Sequence, residues 1–469
     1  MLFHSWVFWI FFLSVLPLFY LAPLRWGRIV LLVASYVFYM WWNPKFIVLI
    51  LASTVVDYTA GRLMPGASRR TRRLLLVMSL SANLVLLGFF KYYNFFCSSV
   101  AQALGLAKEA FLLRITLPVG ISFYTFQSMS YTIDVYWGRL KPLRNFTDFA
   151  LFVAFFPQLV AGPIVRARQF LPQLRSWKAP TATRFQEGLS LVLIGLNKKM
   201  VFADHFAKVA DAYFQDVAGN PGWITAWTGT LAFAMQILFD FSGYTDIARG
   251  CAQLMGFHFP VNFNRPYLAA NISDFWRRWH ISLSSWLRDY LYIPLGGNRR
   301  GPGRTHLNLM ITMLLGGLWH GASWNFVVWG GYHGLLLSLF RVAKKRARPG
   351  WGWLQSVRPL LTGLATAINF LLVLFGWVFF RATSFQDAVH VFTSMSAFHI
   401  PGENLLSPGL WLMVGVSVVL ALWEEYGQVT GRILSGPAWL RVVFYTLAFL
   451  TLELFSVTDE QIPFVYFQF

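Results

Sequence analysis

The sequence predicts an all-α polytopic membrane protein, and three observations carry that prediction. Of its 469 residues, 57% are hydrophobic and 18% aromatic, while only 12% are charged; a soluble protein typically carries about 25% charged residues. The apolar residues gather in long runs, and a run of about 18 or more can cross the hydrocarbon core as a helix. Those runs do not alternate polar with apolar residues at a period of two, which excludes a membrane β-barrel.

In order along the chain, apolar runs centre on residues 2–22, 29–42, 46–60, 74–90, 115–136, 146–163, 186–204, 223–250, 307–318, 324–340, 361–380, 410–424 and 437–457. Some fall short of the roughly 20 residues of a straight crossing, so about ten or eleven are expected to span and the rest to be re-entrant or interfacial. No Lys or Arg precedes the first run. It lacks the charged n-region of a cleavable signal, and the helix is expected to be retained.

Charge orients the first helices. Arg25 and Arg28 follow the first run, and Arg62, Arg69, Arg70, Arg72 and Arg73 follow the third. Placing both loops in the cytoplasm puts the N-terminus outside. The run 146–163 creates a conflict, because Arg139, Lys141 and Arg144 precede it and Arg166, Arg168 and Arg175 follow it. Pro157 and Gly162-Pro163 break helices. A re-entrant hairpin therefore resolves the conflict, and such backbone at membrane depth implies protein or a water-filled cavity around it.

The segment 258–306 is too charged to span and too aromatic for a plain linker. Ser273 before Asp274 reads as an N-cap. From there Phe275, Trp279, Ser282, Trp286 and Tyr290 share one helical face, and Trp276, His280, Leu283 and Leu287 another. Gly296-Gly297-Asn298 ends the helix in a turn. The expectation is one amphipathic helix lying on the cytoplasmic face, with Arg277, Arg278 and Arg288 at headgroup level. The chain shows no internal repeat and is expected to form a single domain over 1–469, its catalytic core about 115–340.

Several functional classes fall away. The formal charge of +20 comes from 39 Lys and Arg against 19 Asp and Glu. A nucleic-acid binder gathers such charge on one soluble face, whereas here it lies in short loops, as the positive-inside rule produces. Cys97 and Cys251 form neither a disulfide framework nor a metal pattern, and both read as packing residues. No GxSxG elbow, P-loop or HExxH occurs, and no metal-ligand spacing.

The residues left for chemistry are ionisable groups inside apolar sequence, which are functional candidates by default. His320 ends an uncharged stretch dense in glycine and tryptophan, LLGGLWHGASWNF, with Trp319 beside it. Two readings are open: a catalytic base, or a hydrogen-bonded structural histidine. Gly316, Gly317 and Gly321 suit either a slender ligand or close helix packing. His280 is the second candidate, and His333 reads as structural. Asp240 and Tyr244, four residues apart in ILFDFSGYTDIARG, allow Asp240 to bond Tyr244 or to orient a histidine; a helix–helix polar contact is the alternative. Asp134, Lys91, Glu424, Glu425 and Glu453 lie near run ends, where snorkelling accounts for them.

Beyond these local readings, the runs LFDFSGYTDIARG, FNRPYLAANISDFWRRWHISLSSWLRDYLYIPLGGNRRG and LLGGLWHGASWNFVVWGGYHG resemble the core of the bacterial alginate O-acetyltransferase branch of the membrane-bound O-acyltransferases. VASYVFYMWWNP, LPVGISFYTFQSMSYTIDVY and FFPQLVAGPI are similar to that branch as well. The resemblance covers most of the chain, to about residue 380, in several long motifs in one order. From about Arg381 to Phe469 it weakens. No chemistry is recognised there, and that portion is a candidate for partner binding.

The resemblance implies a helical fold with a central funnel, His320 as the central catalytic histidine and His280 as the second. It also implies an O-acetyltransferase that takes acetyl from a cytoplasmic donor, acetyl-CoA or a related one, with no permanently bound cofactor. Acetyl would cross the bacterial inner membrane, and periplasmic acetyltransferase partners would place it on a polysaccharide, alginate first. Arg277, Arg278, Arg299, Arg300 and Arg304 could attract the phosphates of coenzyme A, since arginine favours phosphate through its bidentate fork. Positive-inside topology explains the same arginines. Peptidoglycan or cellulose is the alternative acceptor. A transporter or flippase is the rival from another class, and the absence of duplicated halves speaks against it.

Overall fold

The computed structural model describes residues 1–107, 109, 111–160, 162–346, 354–458 and 462–467. Among these the regular elements are helices throughout: α1 Trp6–Leu21, α2 Leu24–Met40, α3 Ile47–Leu63, α4 Arg69–Leu87, α5 Tyr93–Ala103, α6 Ile121–Tyr136, α7 Phe146–Ala154, α8 Phe156–Leu159, α9 Ala167–Arg175, α10 Ala182–Leu196, α11 Asp204–Gln215 and α12 Trp223–Leu254. They continue with α13 Ile272–Arg278, α14 Ile281–Leu287, α15 Gly301–His320, α16 Trp324–Arg346, α17 Leu354–Arg381, α18 Phe385–Ser396, α19 Pro408–Gly427, α20 Val429–Ser435 and α21 Ala438–Phe455.

Seven helical stretches among the described residues are long and apolar enough to cross a membrane. They run over Pro44–Leu63, Arg69–Ala103, Trp223–Leu254, Trp324–Arg346, Pro359–Arg381, Pro408–Gly427 and Ala438–Phe455. Such helices satisfy every backbone hydrogen bond internally, which is what hydrocarbon demands. The other runs fold into helices that fall short of that length or of that apolarity, some of them interrupted. The expected break in 146–163 is present: the helix stops at Ala154, Phe155 takes an extended conformation, and Pro157 sits in the first turn of α8, where its missing N–H costs nothing. Every residue from Phe149 to Phe156 is fully buried.

The chain packs as two compact units, one of Met1–Val192 with Tyr244–Pro260, the other of Leu193–Gly243 with Val261–Phe469. In the first unit α3, α4 and α6 pack around a buried polar cluster. Asp57 on α3 accepts hydrogen bonds from Asn83 Nδ2 on α4 at 2.9 and 3.0 Å, from Ser79 Oγ at 2.5 Å, and from the Ser128 hydroxyl on α6. Asp134, expected to snorkel from a run end, is instead fully buried on α6, with the Arg139 guanidinium 4.0 Å away. Arg28 joins α2 to α7 through Asp148 at 3.1 Å.

The second unit holds the segment expected to form one amphipathic surface helix, and here the structure corrects the sequence reading twice. The N-cap is Asn271, whose side chain accepts from Asp274 N, and not Ser273, which lies inside the first turn. The helix is not continuous. It stops at Arg278, restarts at Ile281 as α14 and widens into a π-type turn over Arg288–Tyr292. Both faces are enclosed, with Phe275, Trp279, His280 and Leu283 at most 1% exposed. The helical period was real, and Arg277 and Arg288 remain exposed while both aromatic faces are packed against protein. The predicted turn at Gly296-Gly297 is present, both residues having positive φ (112° and 53°).

Candidate active site

His280 sits at the break between α13 and α14 with φ 41° and ψ 56°, the left-handed region. A non-glycine residue there costs of order 1–3 kcal/mol and persists where surrounding structure over-determines it. The surroundings do so here. Asn262 accepts from Ile281 N through its carbonyl at 2.9 Å and from Ser282 N through Oδ1 at 3.0 Å, while Asn264 N donates to the Arg278 carbonyl at 2.9 Å. Glu425 on α19 pairs with Arg265 at 2.6 Å and with Arg278 at 3.0 Å, and Arg278 also pairs with Asp274 at 2.8 Å. Glu425 is thus a paired anion that joins Arg278, before the His280 kink, to Arg265 in the loop beside it, which corrects the snorkelling expectation.

His320 is the last residue of α15, and the chain turns extended at Gly321. The glycines before it serve helix packing. A Cβ on Gly317 would collide with the Phe326 carbonyl and one on Gly330 with the Met313 carbonyl, so α15 and α16 meet backbone to backbone. That close approach brings α16 against the histidine: the Trp329 ring centroid lies 5.1 Å from that of His320.

The two histidines face one another. Their ring centroids are 6.4 Å apart, and both side chains are enclosed, His280 fully and His320 at 3% exposure. Aromatic rings wall the space. Phe241 lies 4.6 Å and Trp319 5.7 Å from His280, and Phe380 lies 5.2 Å from His320. Tyr466 brings a phenol into the same wall, 5.6 Å from His320 and 6.5 Å from His280. His333 packs against Trp329 and Trp276 at 4.8 and 5.2 Å, in keeping with a structural role.

Two adjacent imidazoles enclosed by aromatic rings suit proton transfer at an uncharged reacting centre such as an ester or thioester carbonyl. The family model for the MBOAT, membrane-bound O-acyltransferase family matches residues 37–385. This chain belongs to the membrane-bound O-acyltransferase family. It is a multi-pass membrane acyltransferase. Among curated relatives, "Probable alginate O-acetylase AlgI" of Pseudomonas aeruginosa is 45% identical over 403 residues, covering 85% of this chain and 75% of the relative. "Peptidoglycan O-acetyltransferase" of Helicobacter pylori is 39% identical over 394 residues, covering 78% and 73%. "Teichoic acid D-alanyltransferase" of Bacillus subtilis is 30% identical over 284 residues, covering 57% and 69%.

The other sequence candidates divide. Trp319 lines the pocket. Asp240 neither orients a histidine nor bonds Tyr244: its carboxylate pairs with Lys199 at 3.0 Å and accepts from Val465 N at 2.7 Å. Tyr244 belongs to the first unit, where its hydroxyl lies 3.4 Å from His4 Nδ1 and its ring stacks on Phe3 at 5.4 Å. A four-residue spacing puts two side chains on one helical face, but the packing partners decide whether they touch. Arg278 is engaged by two carboxylates, which removes it as a free phosphate ligand. Arg277, Arg299 and Arg300 are exposed.

Sequence reading missed Phe241 and Tyr466, whose rings pack around the two histidines, Asn262, which holds the His280 kink, and Lys199, the partner of Asp240. Tyr466 lies in the portion beyond Arg381, where no chemistry was recognised in the sequence. A faint signal existed, since QIPFVYFQF is apolar and aromatic yet far too short to span a membrane.

Proposed function

We propose that this acyltransferase transfers acetyl from acetyl-CoA to a hydroxyl destined for an extracytoplasmic polysaccharide, with alginate the leading acceptor. The observation that carries it is the enclosed His280–His320 pair in a chain 45% identical to a relative named for alginate O-acetylation. In this reading His320 is the base. As the acceptor oxygen attacks the thioester carbonyl, the hydroxyl proton passes to the neutral imidazole. When the intermediate collapses, the carbon–sulfur bond breaks and coenzyme A leaves as the thiol, taking a proton from the imidazolium.

The pocket supports that role physically. Hydrophobic rings exclude water, so hydrolysis of the thioester is suppressed while charge effects strengthen. General-base help of this kind is worth about 10²–10⁴-fold in rate. His280, held in its kink beside Phe241, is placed to orient the acceptor or to bond the developing oxyanion. The exposed Arg277, Arg299 and Arg300 are suited to the donor's phosphates. The enzyme acts in the inner membrane, and a periplasmic acetyltransferase partner completes delivery. The peptidoglycan relative keeps that polymer as the second reading of the acceptor.

The test is direct. The purified protein in liposomes is given acetyl-CoA, and free thiol is followed with and without an added polysaccharide acceptor and its partner. The expected result is thiol release stimulated by acceptor. Absence of donor turnover under all conditions, with protein that is demonstrably folded, contradicts the reading.

A further inference from the structure

Lys199 lies in a π-type turn, Asn197–Ala203, between α10 and α11, and its side chain is fully buried. Its ammonium is 2.7 Å from Asp204 Oδ1, 3.0 Å from Asp240 Oδ1 and 3.1 Å from the Ile462 carbonyl oxygen, to which it donates. On the far side of the same cluster, Asp240 Oδ2 accepts from Val465 N at 2.7 Å. Two backbone groups of opposite polarity, three residues apart in the C-terminal strap, are therefore held by a cation and an anion that also hold each other. Burying such charges is expensive.

The strap leads straight to the reacting centre. Tyr466 follows Val465 and faces His320, and its ring lies 4.2 Å from that of Phe241, the residue after Asp240. Phe464 packs on Phe241 at 5.6 Å. Asp240 and Phe241 thus grip and wall the strap from consecutive positions on one helix.

We propose that Lys199 and Asp240, braced by Asp204, form a clamp that seats the C-terminal strap against the two histidines, and that they are positioning residues for acyl transfer acting through the strap. This rests on the reading of His280 and His320 as the reacting centre. Displacing a group by about 1 Å can cost on the order of 10²-fold in rate, so the clamp sets turnover without touching substrate.

The experiment uses the full-length protein in detergent and in liposomes, with wild type, Asp240→Asn, Lys199→Arg, Tyr466→Phe and the double variant Asp240→Asn/Tyr466→Phe. Carboxypeptidase digestion, read by intact-protein mass, reports strap seating independently of chemistry. The clamp predicts that digestion of wild type stops before Tyr466, that Asp240→Asn is trimmed past it, and that Lys199→Arg, which keeps the cation, retains most protection. It also predicts that Asp240→Asn lowers kcat about tenfold or more with donor KM unchanged within about twofold, since orientation and not binding is lost. The double variant should lose no more than the worse single one, because coupled residues are non-additive. A fully protected C-terminus in folded Asp240→Asn overturns the clamp. So does a trimmed C-terminus with wild-type turnover, or strict additivity. Full activity of His320→Ala would instead overturn the site reading, and the protection result would stand apart from it.

Discussion

Two buried carboxylates, Asp57 in the first unit and Asp240 in the second, meet the same problem with different partners. Both are at most 1% exposed and sit on long apolar helices. Asp57 is surrounded by neutral donors on the neighbouring helices: Ser79, Asn83 and Ser128. Asp240 faces an ammonium and the backbone N–H of a residue 225 positions away. The first arrangement knits three adjacent helices. The second fastens Val465, and with it Tyr466, beside His280 and His320.

Removing partners should separate these roles. The largest effect belongs to Lys199→Met, which leaves Asp204 and Asp240 buried without their cation. Breaking a buried pair in this way costs about 3–5 kcal/mol, and the surviving folded fraction after a thermal challenge, read by size exclusion, should fall sharply. Near-wild-type survival would mean the cluster is not charged as drawn. Asp57→Ala comes next, leaving three donors unsatisfied at about 1–3 kcal/mol. Its melting midpoint should drop while turnover per folded molecule stays at the wild-type value. If turnover falls with unchanged stability, Asp57 serves the site too and the contrast fails.

Asn262→Ala sharpens the picture from the His280 side. It removes the Oδ1 acceptor for Ser282 N but keeps the backbone carbonyl that serves Ile281 N. The loss of stability should be about 1 kcal/mol, and turnover should fall about tenfold as the kink loosens, in line with the sensitivity of rate to geometry. The smallest effect is expected for Glu425→Gln. Its guanidinium partners are partly exposed, so the pairs contribute at most about 1 kcal/mol, and turnover should stay within about twofold of wild type on that scale.

Much of this was legible in the sequence. Long apolar runs gave the membrane helices, Pro157 marked the break at Phe155, and Gly296-Gly297 marked the turn before α15. The ordered motifs singled out His280, Trp319 and His320, and the structure brings the three side by side. What stayed hidden depended on contacts between distant segments. The period of 3.6 residues across 272–292 suggested one helix, because nothing local announces that Asn262 accepts hydrogen bonds from the backbone on the far side of His280 and stabilises a left-handed residue there. Asp240 sits at the right spacing to meet Tyr244, yet a lysine 41 positions upstream supplies the stronger partner. The pocket wall at Tyr466 is drawn from beyond the matched motifs, and only the folded chain brings it to His320.

The central claim is that His320 is the base for acyl transfer in the enclosed pocket. Turnover of acetyl-CoA by His320→Ala and wild type, compared in the same liposomes at matched amounts of folded protein, tests it most directly. The account predicts a loss of about 10²–10⁴-fold with the melting midpoint little changed. Undiminished turnover by folded His320→Ala would contradict it.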